Sequence, residues 1–84
     1  MDATSAREVI AELIVGHEIL IETEVAVVNA LEPYFTAWQT ATRDTVTPEL
    51  NRRVRQRLES QANIRQWTKE LEALRVALTA MSEE

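Results

Sequence analysis

The sequence predicts an all-α protein, an antiparallel helical hairpin of two long helices that dimerises into a four-helix bundle. Three observations carry this. The 84 residues include one Gly and two Pro, too few turn-formers for a sheet with tight hairpins. Apolar residues recur at helical spacing through both halves. The strongest punctuation, Asp44-Thr-Val-Thr-Pro-Glu49, lies near the middle of the chain. Residues 1–84 read as a single domain, because 9.6 kDa leaves no room for a second core.

The first helix is expected over 5–42. Ser5-Ala-Arg-Glu8 fits a capping box, in which the serine oxygen and the glutamate each satisfy an orphan amide. Apolar residues follow at Ile10, Leu13, Ile14, Leu20, Ile21, Val27, Val28 and Leu31, while Val9, Val15, Ile19 and Val25 lie outside that stripe. Helix 1 is therefore apolar on more than the one face that a single partner covers. Pro33 cannot donate to the carbonyl of Asn29 and clashes with it, so a kink or brief break is expected there.

A turn at 43–47 and a second helix over 48–81 follow. Thr47 has the chemistry of an N-cap, Pro48 suits the first helical position, and Glu49 complements the positive first turn. Ile64, Trp67, Leu71, Leu74, Leu78 and Met81 keep the 3-4 spacing of a coiled-coil seam. Run backwards, that register reaches Arg57 and Ser60 while the apolar residues are Leu50, Val54 and Leu58, so a stutter is expected near 58–64. With the turn centred near 45, residue i faces roughly residue 90 minus i. Glu18, Glu22 and Glu24 then approach Arg65 and Lys69, and the arginines of 52–57 approach Tyr34–Trp38.

Nine basic against fourteen acidic residues give a net charge of -5, which disfavours nucleic acid and anionic membranes as partners. The split is uneven, with two basic and eight acidic residues in 1–44. The longest uncharged stretch, Pro33–Thr42, is far shorter than a membrane span. No signal peptide is legible at the N-terminus, and a cytoplasmic location is expected. The absence of cysteine excludes a disulfide scaffold, a thiolate zinc site and a cysteine nucleophile.

No activated nucleophile, Gly-rich phosphate loop or paired carboxylates point to catalysis, so the expected protein is not an enzyme and carries no catalytic residue, cofactor or metal. Two helices make a thin core, and without a disulfide the staple for so small a scaffold is association. The expected function is a protein–protein interaction module, such as an assembly factor, co-chaperone or inhibitor. Its partner is itself, another protein, or both. The expected interface residues are Leu13, His17, Leu20, Glu24, Val27, Trp38, Ile64, Trp67, Leu71, Leu74 and Leu78. His17 and Glu24, one heptad apart, would form a polar layer that fixes register. Gly16 costs about 1 kcal/mol against Ala in mid-helix, for which close helix approach is a motive.

Two alternatives rest on fewer residues. Arg52, Arg53, Arg55 and Arg57 could grip phosphate, with Tyr34 or Trp38 for stacking, in a nucleic-acid-associated regulator. His17 and Glu24 could hold a metal in an oligomeric bundle, although neither Glu-x-x-His nor His-Glu-x-x-His is present. The outline resembles the WXG100 secretion substrates, helical hairpins with Trp-x-Gly in the connecting turn. Ala37-Trp38-Gln39-Thr40 supplies the tryptophan without the glycine, and no Tyr-x-x-x-Asp/Glu follows helix 2. No family residue is carried over.

Overall fold

A computed structural model describes residues 3–82 of the chain. Within them α1 (Ala3–Thr40) and α2 (Pro48–Ser82) form an antiparallel hairpin. It measures 62 × 16 × 14 Å, with a radius of gyration of 18.6 Å. A compact chain of this length would have a radius near ~12 Å, so the molecule is a rod.

The helix ends differ from expectation where local signals compete. α1 is already helical at Ala3, so Ser5 and Glu8 lie inside it and do not form its cap. It ends at Thr40 rather than 42 and runs through Pro33 without interruption. A proline removes one hydrogen bond, and packing of a long apolar face against α2 outweighs that loss. α2 begins as its cap signal dictates. The Thr47 hydroxyl accepts the Leu50 N–H at 3.1 Å, and the Thr47 carbonyl accepts the Asn51 N–H at 3.0 Å.

The connection needs no glycine because none of its residues takes a positive φ. Thr42 and Thr45 close it instead. The Thr42 N–H donates to the Thr45 hydroxyl at 2.7 Å, and the Thr42 carbonyl accepts the N–H groups of Thr45 and Val46, each at 3.0 Å.

Contacts between the helices follow the 90-minus-i rule to within a few positions. His17 meets Glu70, Glu32 meets Arg57, Arg53 lies over Tyr34 and Arg57 over Phe35. The arginine–aromatic end thus forms as expected. Glu18 instead pairs with Arg75 at 3.3 Å, not with Arg65 or Lys69.

The expected stutter is met in part: Leu50 is half-buried and Val54 is 6% exposed, but Leu58 turns outward. In α2 the inward positions run Leu50, Arg53, Arg57, Ser60, Ile64, Trp67, Leu71, Leu74, Leu78 and Met81, an unbroken 3-4 alternation in which every residue is buried or half-buried. Ser60 is 5% exposed, whereas Leu58 is 54% exposed. Two features let Ser60 and Arg57 occupy the seam beside Arg53. Serine is small, and the arginine finds an aromatic ring and a carboxylate waiting on α1. The matching α1 seam is Arg7, Ile10, Ile14, His17, Ile21, Glu24, Val28, Leu31 and Phe35. The resulting core is thin. Among the described residues only Leu31, Val54 and Leu71 are buried apolar side chains.

Candidate functional site: the outer face of the first helix

Rotating α1 away from its α2-facing seam uncovers a second one. Leu13, Leu20, Val27 and Tyr34 recur every seven residues, alternating with Val9, Gly16, Thr23, Ala30 and Ala37. Large residues therefore alternate with smaller ones at 3-4 spacing over eight helical turns, a second coiled-coil pattern on the same helix. No charged side chain interrupts it between 9 and 37. The one hydroxyl of the α1 run before Tyr34, on Thr23, donates back to the Ile19 carbonyl at 2.9 Å. Val9, Leu13, Leu20 and Tyr34 are each about two-fifths exposed, and Ile19 on the flank is 57% exposed.

Gly16 lies on this outer seam, away from α2. A Cβ built there meets nothing within 4 Å, so no close approach to α2 requires glycine. α2 offers no comparable outer face. Its corresponding positions carry Glu49, Arg52, Gln56, Glu59, Asn63 and Gln66, with alanines only toward its end.

Beside this seam lies a shallow apolar groove of about 360 Å³ lined by Leu13, His17, Glu70, Ala73 and Leu74. The imidazole of His17 sits at its edge. Nδ1 lies 2.9 Å from the Leu13 carbonyl oxygen, and Nε2 lies 2.8 Å from Glu70 Oε2. Both neighbours are acceptors, and a neutral imidazole has one N–H. The geometry is satisfied by an imidazolium donating to both. The hydrogen bond to Glu70 accordingly raises the His17 pKa above its ordinary value. Glu70 is lowered, first by the Gln66 amide donating to its other oxygen at 3.0 Å and then by His17. Sequence reading missed Glu70 because the pair is made by the tertiary fold, 53 residues apart. Glu24 is half-buried on the same α1 seam, one heptad from His17.

The arginine cluster is largely engaged inside the hairpin. Arg57 Nη2 and Nε both donate to Glu32 Oε2, at 2.8 and 3.2 Å, and its guanidinium lies 4.1 Å from the Phe35 ring centre. Arg53 lies over Tyr34 at 5.5 Å, and Arg52 and Arg53 each reach Glu49 at 3.7 Å. Arg55 is exposed. Trp38 stacks on Phe35, with ring centres 6.1 Å apart, and remains 42% exposed.

The expected interface residues therefore divide into two groups. Leu71 is buried, and His17, Glu24, Ile64, Trp67, Leu74 and Leu78 are half-buried along the α1–α2 seam. Leu13, Leu20 and Val27 lie on the outer seam, and Trp38 sits at the turn end between the two. The small partners of the outer seam, Gly16, Thr23, Ala30 and Ala37, were not anticipated, although their seven-residue spacing is visible in the sequence. Among the described residues no three His, Asp or Glu side chains converge as a metal site requires, and no helix is long and apolar enough to cross a membrane. Compared with protein-family models, with curated proteins and with solved structures, the chain matches none of them.

Proposed function

We propose that this chain is a non-enzymatic protein–protein interaction module, of the assembly-factor, co-chaperone or inhibitor kind, whose working surface is the outer face of α1. The observation that carries the reading is the uncharged 3-4 seam from Val9 to Ala37 on a helix whose other face already packs on α2. Soluble chains rarely leave an apolar stripe of this length in water without a partner for it. Charged surroundings, with Glu8, Glu12 and Glu22 on the same helix, keep the free module soluble.

The arginine cluster supports nucleic-acid binding less well, since two of its four guanidinium groups lie on aromatic rings within the hairpin. A metal centre at His17 and Glu24 would have to displace the Leu13 and Glu70 contacts of the imidazole.

The test uses tagged protein as bait beside Ile19→Glu/Leu20→Glu, whose helical circular dichroism should be unchanged because both side chains are exposed on the outer face. A stoichiometric protein partner, itself or another, should be retained by the wild type and lost by the variant. If the wild type retains nothing that the variant does not, the reading is wrong.

A further inference from the structure

We propose that the occupant of the outer α1 seam is a second copy of this chain, packed α1 against α1 in antiparallel orientation about a two-fold axis near residues 20–23. The inference deepens the interaction-module reading and rests on it. Four observations select this occupant.

The first is self-complementarity. An isologous interface presents the same patch to itself, and a seam of alternating large and small residues satisfies that condition. With that axis Leu20 of one copy fits beside Thr23 of the other and Val27 beside Gly16, and the small residues let the two backbones approach closely.

The second is that α2 has no outer seam to offer. Its equivalent face is polar through Gln66, so pairing α1 with the partner's α2 would bury glutamates and arginines against leucines at high desolvation cost.

The third is charge. The turn end, residues 41–59, holds five arginines against three acidic residues. The open end, residues 3–24 with 64–82, holds four basic against seven acidic residues. An antiparallel pair sets each acidic open end beside the partner's arginine-bearing turn end, so Glu8 approaches Arg52, whose side chain is 70% exposed. A parallel pair would place Glu12 beside its own copy.

The fourth is area. The hairpin exposes 6182 Å², against ~5,100 Å² for a compact monomer of its mass. The excess of about 1,100 Å² is comparable to the ~800 Å² per partner that a stable interface removes.

The absence of cysteine makes the test clean. Sedimentation equilibrium should give a dimer for the wild type at about 100 μM, and a monomer at every concentration overturns the proposal. In that case the interaction-module reading still stands or falls on the bait experiment, so the two failures are separate. Gly16→Glu should weaken the dimer at least about tenfold. It should do so without harming the hairpin, because a Cβ there meets nothing within 4 Å and glutamate is a better helix former than glycine. A dimer indifferent to both Gly16→Glu and Leu20→Glu overturns the choice of face. For orientation, Thr23→Cys should oxidise readily to a disulfide-linked dimer, since it lies near the axis. Val9→Cys should not, because an antiparallel pair carries its two copies to opposite ends. Equal cross-linking at Val9 and Thr23 overturns the antiparallel arrangement.

Discussion

Arg57 occupies a seam position that a simple heptad would give to leucine, and its replacement tests whether the polar contacts hold the hairpin together. Its side chain is 11% exposed while that of Glu32 is 53% exposed. Half in water, the ion pair contributes about 1 kcal/mol, at the upper end for solvent-accessible pairs. The guanidinium over Phe35 is nearly desolvated, where a cation–π contact is worth about 1–2 kcal/mol. Arg57→Met keeps the apolar stem and forfeits both contacts. Methionine regains about 1 kcal/mol by filling the position, for a net loss of about 1–2 kcal/mol. In a domain this small that lowers Tm by roughly 4–8 °C per kcal/mol.

A double-mutant cycle with Glu32→Gln, read by urea unfolding at one protein concentration because association adds apparent stability, should return a coupling near 1 kcal/mol. The coupling should shrink in high salt, as the exposed half of the pair is screened. If Arg57→Met is stabilising and the coupling is indistinguishable from zero, the seam merely tolerates its arginine, and neither Phe35 nor Glu32 holds the hairpin together through it.

The His17–Glu70 pair makes stability depend on pH in a defined window. With the His17 pKa raised above 6.5, its contribution is fully present below 6.5 and is lost as pH rises through the higher folded value. With the Glu70 pKa lowered below 4.5, its contribution is present above 4.5 and is lost as pH falls through the lower folded value. Thermal melts should therefore show the pair's largest contribution between those ordinary values, and His17→Gln should flatten the alkaline limb; an unchanged profile would contradict the imidazolium assignment. Leu71→Ala, at a site 7% exposed, should cost about 2–3 kcal/mol, the low end for core leucines because a two-helix core can close over the gap. A loss under about 1 kcal/mol in urea unfolding would mean that Leu71 is not central to the seam. Thr47→Ala removes the acceptor of the Leu50 N–H and should cost about 1 kcal/mol in the same unfolding assay, whereas Thr47→Ser should restore it.

Local chemistry was enough to read the helical class, the position of the turn and the start of α2. Thr47-Pro48-Glu49 needs only its own backbone to act as a cap, and the spacing of Ile64 to Met81 is a property of one helix. The pairing rule across the hairpin followed as well, because two helices joined by a short connection have few ways to align. Where α1 begins was not legible, since the capping box at Ser5 lies inside a helix that already includes Ala3 and Thr4. The direction faced by Arg57 and Ser60 was misread for a related reason. A residue's polarity suggests water, yet a buried position is set by what stands opposite it, and Phe35 and Glu32 stand opposite Arg57.

The same division runs through the candidate site. Excess apolar surface on helix 1 was visible from composition and period alone. Sequence period by itself could not say which of its two stripes faces α2, because both obey the same 3-4 spacing. Tertiary packing decided that by pairing Ile14, Ile21 and Leu31 with the α2 seam and leaving Val9, Ile19 and Leu20 exposed. It also gave His17 a carboxylate from the other helix, a contact made by distance in space that no spacing along the chain encodes.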